Sequence, residues 1–224
     1  IAVVYLWSLA DHWIIHRVPQ VERALADGIH NYRFDLSSQA IYNVFLNEYC
    51  DWYRELSKPV LWDEQASEAQ KKGTRRTLIR VLEATLRLAH PMMPFITEEI
   101  WQKVKSLAGK TGETIMHQPY PVANSGLIDD QALNDVEWVK GVVMGVRNIR
   151  GEMNISPAVP IPVLLKNTSQ EDRRRLSENE QFLVKLAKLE QITLLPETEV
   201  PPLSAIQLVG DMELLVPMKG LIDV

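Results

Sequence analysis

The chain has 224 residues, a formal net charge of −5 and a single cysteine, Cys50. This length is sufficient for one large domain, or for one domain with a smaller companion, around a substantial apolar core. A mildly acidic chain is a poor general binder of nucleic acids because phosphate contacts need cations, so an RNA-binding role requires a local basic face. One cysteine excludes an internal disulfide and indicates that the chain does not need an oxidising compartment.

The first residues of the chain argue against secretion. Ile1–Leu6 is apolar, but it has no initiator methionine and no basic leader, which a signal peptide needs. No apolar run in the sequence is long enough to span a bilayer. We therefore expect a cytoplasmic protein without a membrane association, and a segment cut from a longer chain.

One long amphipathic helix, which we call the central helix, is predicted between Asp35 and Lys58. Asp35 is expected to cap its first free amides, and Pro59 to end it, since proline cannot continue the hydrogen-bond ladder. Large apolar residues recur at helical spacing, and a neighbouring stripe is entirely polar. The apolar stripe comprises Ile41, Val44, Phe45, Tyr49 and Trp52, and the polar stripe comprises Asn43, Asn47, Asp51, Arg54 and Lys58.

Other helices are predicted on both sides of the central helix. Leu9–Ala26 has helical periodicity interrupted by Pro19, which either kinks the helix or starts a second one. Asp63–Gly73 is polar and is predicted to be a solvated loop. Thr74–His90 and Thr97–Leu107 follow as helices that pack against the apolar stripe, with a stiff elbow containing two prolines between them.

The pattern changes after a connection at Gly109–Gly126, where helical periodicity is lost. Asp129–Arg150 is again helical, and short apolar runs then flank one amphipathic helix, Gln170–Leu189. Strands are predicted at Ile161–Leu165, Ile192–Leu195, Ala205–Val209 and Met212–Val216. The last two are separated by a Gly-Asp turn, which is typical of a hairpin. The sequence thus predicts a mainly α fold, with a helical bundle over residues 1–125 followed by a helix and a small α+β subdomain over residues 126–224.

No catalytic or metal site can be derived from these residues. Glu98 and Glu99 point about 100 degrees apart on a helix, which suits a helix start better than an acid–base pair. His12 and His16 are four positions apart, but no third metal ligand is evident. Cys50 lies among aromatic residues and is expected to be an inert core thiol.

What remains is the chemistry of nucleic-acid recognition. One predicted helix and the loop before it concentrate cations, namely Lys71, Lys72, Arg75, Arg76, Arg80 and Arg87. These side chains form either a solvated helix face or an RNA-binding surface. The polar stripe of the central helix can read unpaired base edges, and Phe34 or Trp52 can stack on a base, unless Trp52 packs in the core. Arg147 and Arg150 flank a helix end, where they either cap carbonyls or contact a phosphate.

Five motifs resemble the valyl-tRNA synthetase family and occur in the same order. They are NEYCDWYRELSKP, GTRRTL, HPMMPFITEEIW, VRNIRGEMNISP and VPMKGLIDV, beginning at Asn47, Gly73, His90, Val146 and Val216. The elbow motif is shared with the isoleucyl and leucyl enzymes. The Cys-Asp-Trp-Tyr run and the closing Pro-Met-Lys-Gly-Leu-Ile are similar to the valyl branch, of bacterial type. The resemblance covers nearly all of the chain from Leu9 onward.

This resemblance implies the helical anticodon-binding domain of a class I aminoacyl-tRNA synthetase, with the small α/β region after it. The whole enzyme joins valine to its tRNA using ATP with magnesium, and hydrolyses mischarged threonyl-tRNA. The family's catalytic motifs, His-Ile-Gly-His and Lys-Met-Ser-Lys-Ser, and its editing domain are not in this sequence. We therefore expect no catalytic residue, cofactor or metal in it, and no activity of this segment alone. The implied partners are the anticodon region of valine tRNA, the enzyme's own catalytic domain and a C-terminal coiled coil expected after Val224.

With that family in mind, the tRNA-binding candidates are Asn47, Trp52, Arg54, Lys58, Arg75, Arg76, Arg147 and Arg150. Two other interpretations stay open. The chain is the same domain of an isoleucyl or leucyl synthetase, or it is a non-enzymatic helical scaffold that binds another protein and carries its arginines as surface charge.

Overall fold

The computed structural model describes residues 6–122 and 130–218. The chain divides into two compact units, Ile1–Leu133 and Asn134–Val224, each of which is described by itself. Helices dominate, and a small mixed sheet lies near the C-terminus, which confirms the predicted fold class. The predicted domain boundary between residues 125 and 126 lies outside the described residues. Within the described ranges, no helix combines the length and apolar character needed to cross a membrane.

The first unit contains the helical bundle. Its elements are α1 (Leu9–His30), α2 (Phe34–Tyr42), a π-helical segment (Asn43–Tyr53), α3 (Arg54–Leu61), α4 (Glu68–Ala89), α5 (Pro94–Val104) and a 3-10 turn (Ile115–His117). Tyr42, Asn43, Tyr53 and Arg54 keep helical dihedral angles where these segments meet. Because of this, α2, the π segment and α3 form one unbroken central helix, as the sequence predicts. Segments of π-helix inside α-helices are frequent at functional sites.

Both predicted ends of the central helix are wrong. The helix begins at Phe34 with Arg33 as its N-cap, and no side-chain hydrogen bond caps it. Asp35 instead pairs with Arg33 at 2.7 Å, and this hydrogen-bonded guanidinium lowers the pKa of the Asp35 carboxyl to about 2. Pro59 lies inside α3, because it removes only its own amide while the Trp62 amide still donates to the Lys58 carbonyl at 2.9 Å. The helix therefore ends at Leu61, three residues after Lys58.

Two further helices begin earlier than the sequence suggests. Ser67 and the third helical residue, Gln70, cap each other reciprocally, so α4 starts inside the stretch predicted as a loop. Pro94 occupies the first turn of α5, where a missing amide has no consequence, so this helix starts one turn before Thr97. The acidic pair Glu98 and Glu99 accordingly lies in the second turn of α5. On the other side, α1 is a single helix that contains Pro19.

The core of the first unit joins α1, the central helix and α4. Leu25, Val44 and Leu88, one from each helix, belong to one buried apolar cluster. This confirms that α4 packs against the apolar stripe, whereas the contribution of α1 was not foreseen. The predicted helix Thr97–Leu107 packs differently, because Trp101 lies against Leu86 of α4. An apolar cleft of about 540 Å³ runs between the central helix and α5.

A buried carboxylate fastens the three core helices together. Asp11 of α1 is fully buried and accepts hydrogen bonds from the Tyr53 hydroxyl at 2.5 Å and the Thr74 hydroxyl at 2.8 Å. It also caps α1 by accepting from the backbone amide of Ser8 at 2.9 Å. Burial, followed by the neighbouring Asp11 charge, raises the pKa of the Tyr53 phenol. The network fixes the relative rotation of α1, the central helix and α4, since each partner comes from a different helix.

Replacing Tyr53 by Phe is expected to lower the free energy of unfolding by about 2 kcal/mol at neutral pH, because a hydrogen bond to a charged acceptor is lost. Since the folded state keeps the Tyr53 proton at a pH where the unfolded chain loses it, wild-type stability falls above about pH 10. The variant has no Tyr53 phenol to titrate. The difference in free energy of unfolding between the wild type and the variant should therefore shrink above about pH 10, by up to about 1.4 kcal/mol per pH unit. Urea unfolding between about pH 8 and pH 11 measures both effects.

The matched control for this substitution is Tyr42→Phe, which removes a hydroxyl from an exposed tyrosine of the same helix. The free energy of unfolding of this control should depend on pH as that of the wild type does. If Tyr53→Phe and the wild type instead ran parallel from neutral to alkaline pH, the raised pKa of Tyr53 would be refuted.

The second unit combines two helices with a four-stranded sheet. Its elements are α6 (Asp130–Glu152, which begins just before the unit), β1 (Ile161–Lys166), α7 (Gln170–Ala187), β2 (Leu189–Leu194), β3 (Ser204–Val209) and β4 (Met212–Pro217). The strand order is β2-β1-β4-β3, with β1 and β2 parallel and joined through α7. β3 and β4 form the predicted antiparallel hairpin, in which Gly210 has a φ of +60°.

Glycine lets α6 approach the sheet closely. A Cβ atom on Gly141 would lie 2.9 Å from Val209 Cγ1, and one on Gly145 would lie 3.1 Å from Gln207 Cγ. In the first half of α6, Asp135 is buried and pairs with Arg174 and Arg175 of α7 at 2.7 and 2.9 Å. The second unit is thus a helix-covered sheet whose two helices are held together by ion pairs.

Candidate nucleic-acid interface

The polar stripe of the central helix faces outward, as the helical period predicts. Asn43, Asn47, Asp51 and Arg54 are exposed, and Lys58 is half-buried. The Asn47 amide donates to Asn43 Oδ1 at 3.3 Å, which holds the two side chains next to each other. Their remaining donors and acceptors can meet the edges of unpaired bases.

An acidic residue lies between the two cations of this stripe. Lys58 Nζ is 2.6 Å from both carboxylate oxygens of Glu55, and Arg54 Nη2 is 3.5 Å from the same carboxylate. All three side chains are partly or largely exposed, and such surface ion pairs contribute only about 0–1 kcal/mol. A phosphate can therefore replace Glu55 as the partner of either cation at small cost.

The first half of α4 adds two exposed arginines to this part of the bundle. Thr74 is buried against the central helix, and the Tyr53 hydroxyl lies 3.5 Å from its carbonyl oxygen. Arg54 and Arg75 directly follow Tyr53 and Thr74 in their helices, and both are exposed. Arg76 is exposed as well. We call the surface formed by Asn43, Asn47, Arg54, Lys58, Arg75 and Arg76 the polar–cationic face.

A comparison with known families assigns this architecture. A family model described as the anticodon-binding domain of tRNA ligase matches residues 11–165, which is more than half of the chain. The chain belongs to this family. The match runs through the helical bundle and continues through α6 and β1.

Arg87 does not belong to the cationic surface of this anticodon-binding domain, although the sequence groups it with the other arginines of its helix. Its guanidinium donates to both oxygens of Glu83, at 2.8 and 2.9 Å, and to the Pro119 carbonyl at 2.6 Å. Glu83 is 2% exposed and also accepts from the Trp101 indole at 3.1 Å. Arg87 is therefore a structural residue that ties α4 to α5 and to the loop after it.

The two arginines near the end of α6 have different surroundings. Arg147 is exposed. Arg150 is 5% exposed and donates to the carbonyl oxygens of Ser156, Ala187 and Lys188, at 2.9 to 3.2 Å. Burial lowers its pKa. Of the two roles that the sequence leaves open, the contacts of Arg150 are those of a carbonyl cap, which closes the C-terminus of α7.

The aromatic candidates also divide by exposure. Trp52 is half-buried, and Phe34 is exposed at the start of the central helix. Trp62, which the sequence analysis did not single out, is 74% exposed and follows the last residue of α3. Trp62 continues the four-residue spacing of Arg54 and Lys58, so the sequence could have placed it on the polar stripe. The prediction that Pro59 ends the helix excluded it.

The side chains that could act as a nucleophile or a metal ligand are Cys50, His12 and His16. Cys50 is half-buried rather than in the core, and burial raises the pKa of its thiol, which disfavours the reactive thiolate. The rings of His12 and His16 lie 5.9 Å apart between centroids. In the described part of the domain, no three His, Cys, Asp or Glu side chains gather as metal ligands.

Proposed function

We propose that this anticodon-binding domain recognises the anticodon loop of valine tRNA, as part of a valine–tRNA ligase. The observation that carries the proposal is the polar–cationic face. It presents side-chain amides and guanidinium groups outward from the central helix and α4. An unpaired RNA loop offers base edges and phosphates in the same close combination, which the amides and cations match.

The face suits single-stranded RNA better than a double helix. Its cations are few and the chain is acidic overall, so unspecific phosphate attraction is weak. Contacts to splayed bases must then supply much of the specificity, and the Asn43–Asn47 pair provides suitable donors and acceptors. Loops with unstacked bases are the usual targets of such recognition.

The assignment to valine rests on the motifs that resemble the valyl branch. In that proposal, ATP with magnesium is used by a catalytic domain elsewhere in the ligase, and mischarged threonine is hydrolysed by an editing domain. The residues described in this chain contribute tRNA binding alone. The catalytic domain and a C-terminal coiled coil are then its neighbours within the ligase.

Competition among three tRNA transcripts tests the assignment. They differ only in the third base of the anticodon, which is C for valine, U for isoleucine and G for leucine. The 224-residue chain should bind the valine form about tenfold more tightly or better, because one well-placed pair of hydrogen bonds to a base gives discrimination of about 1–3 kcal/mol. Fluorescence anisotropy at several salt concentrations measures both the preference and the electrostatic share.

Each alternative interpretation has its own outcome in this assay. A preference for the U or G transcript would assign the domain to the isoleucyl or leucyl enzyme. Binding that shows neither an anticodon preference nor a fall in affinity with rising salt would contradict RNA recognition and favour a protein-binding scaffold.

A further inference from the structure

The end of the central helix carries an aromatic side chain, Trp62, that is largely exposed among the described residues. Trp62 follows α3 directly, its backbone amide donates to the Lys58 carbonyl at 2.9 Å, and its side chain is 74% exposed. Single exposed aromatic residues are normal on protein surfaces, so the exposure of Trp62 assigns no role by itself. Its position among the cations of the central helix is what distinguishes it.

Trp62 is aligned with the cations of the polar–cationic face. Arg54, Lys58 and Trp62 are spaced four residues apart, so they follow one another along the same side of the last helical turns. Lys58 Nζ lies 5.5 Å from the centroid of the Trp62 ring, within the range of a cation–π contact. This contact restrains the indole next to the cation while most of the ring stays accessible.

A nucleotide in a single strand has the complementary pair of groups. Its phosphate suits a cation, and its base presents a flat π face a few ångströms away. We propose that Trp62 stacks on an unpaired base of the bound RNA, while Lys58 and Arg54 hold the adjacent phosphate. This inference rests on the proposed function and extends the polar–cationic face to the end of α3.

Exposure alone does not place an aromatic residue next to the cations of the polar–cationic face. Tyr32 is 83% exposed, but it precedes the start of the central helix. At a rise of 1.5 Å per residue, that is about 40 Å from Trp62. Tyr32 thus serves as a matched control for the removal of an exposed ring.

The binding test uses the 224-residue chain and a valine anticodon stem–loop. Trp62→Ala should weaken binding about tenfold, Trp62→Phe should retain most of the affinity, and Tyr32→Ala should bind like the wild type. Because no charge is removed, the slope of log Kd against log salt should be the same for Trp62→Ala and the wild type. Thermal unfolding of each variant confirms that the exposed substitutions leave the fold intact.

A second measurement reports the stack itself. The loop nucleotides are replaced one at a time by 2-aminopurine, whose fluorescence is quenched when it stacks on an indole. One position should be quenched by the wild type and by Tyr32→Ala, but not by Trp62→Ala. If the wild type binds and Trp62→Ala binds equally well with the same quenching, the stacking role is overturned while the proposed function stands. If the wild type binds no anticodon stem–loop, both the proposed function and this inference are overturned.

Discussion

Replacing Glu83 by Ala is expected to lower the free energy of unfolding by about 3–5 kcal/mol, because it leaves a largely buried guanidinium without its counter-ion. Glu83 and Arg87 are 3% and 14% exposed in their side chains and are joined by two hydrogen bonds. The substitution also removes the acceptor of the fully buried Trp101 indole, which adds a desolvation penalty. Urea unfolding followed by circular dichroism measures the loss.

Two companion variants separate this ion pair from ordinary surface charge. Glu99→Ala breaks an exposed pair with Lys103 of the same i, i+4 type and should change stability by no more than about 0.5 kcal/mol. The double variant Glu83→Met, Arg87→Met removes both buried charges and should be more stable than Glu83→Ala, since no ion is left unpaired. If the double variant proved less stable than the single one, the cost would come from lost packing instead.

The sequence predicts the helices of this fold better than their ends. Periodicity depends on which face is buried, and the burial of Ile41 and Val44 beside the exposed Asn43 follows from the helical repeat. The π-helical repeat from Asn43 to Tyr53 was not predicted. Helix ends depend on single hydrogen bonds that compete closely in free energy. Asp35 was assigned a capping role, but the neighbouring Arg33 guanidinium binds its carboxylate instead.

Contacts between helices decide which arginines are held by protein groups and which stay at the surface, and the sequence left this open. Arg87 has Glu83 four residues before it, an i, i+4 pair that can be read from the sequence, whereas Arg76 has only cations at that spacing. What the sequence does not show is that Glu83 is buried against Trp101 of α5. Arg150 likewise meets two of its three carbonyl partners, Ala187 and Lys188, because α7 ends near the end of α6. The polar stripe was predictable because it is periodic, whereas the burial of an ion pair such as Glu83–Arg87 depends on residues that are distant in sequence.

These contacts separate two groups of arginines with different consequences for binding. Arg87 and Arg150 are held by protein groups, so their loss should affect stability before it affects RNA affinity. Arg54 and Arg75 lie at the surface, where their loss should affect RNA affinity alone. The cations of the polar–cationic face are therefore the appropriate targets for a test of tRNA binding.

Removing four charges from that face is expected to weaken binding of the valine anticodon stem–loop about 100-fold. The variant is Arg54→Gln, Lys58→Gln, Arg75→Gln and Arg76→Gln. If two of these side chains contact phosphates and each contact contributes about 1.5 kcal/mol, the affinity falls by that factor. The slope of log Kd against log salt should also decrease, by up to about 3 if all four release counterions. Anisotropy titrations over a range of salt concentrations measure both quantities.

A second variant that loses four positive charges elsewhere on the surface serves as the control. It tests whether the loss of affinity comes from the polar–cationic face or from the change in net charge. Its substitutions lie on α5, in the loop after it and on α7, and are Lys103→Gln, Lys110→Gln, Arg173→Gln and Lys185→Gln. This variant has the same net charge as the test variant and should lose no more than a few-fold in affinity. Equal losses in both variants would mean that the RNA responds to overall charge, and the polar–cationic face would have no special role.

Glu55 supplies the opposite test, because its removal should tighten binding. Its carboxylate holds Lys58 at 2.6 Å and lies 3.5 Å from Arg54, so it competes with phosphate for both cations and repels the RNA. Glu55→Gln should therefore improve Kd several-fold at low salt, and the gain should shrink as salt screens the charge. The matched control Glu64→Gln changes an exposed carboxylate beyond the end of α3 and should give a smaller gain. Weaker binding by Glu55→Gln would show that Glu55 positions Arg54 and Lys58 for the RNA instead of competing with it.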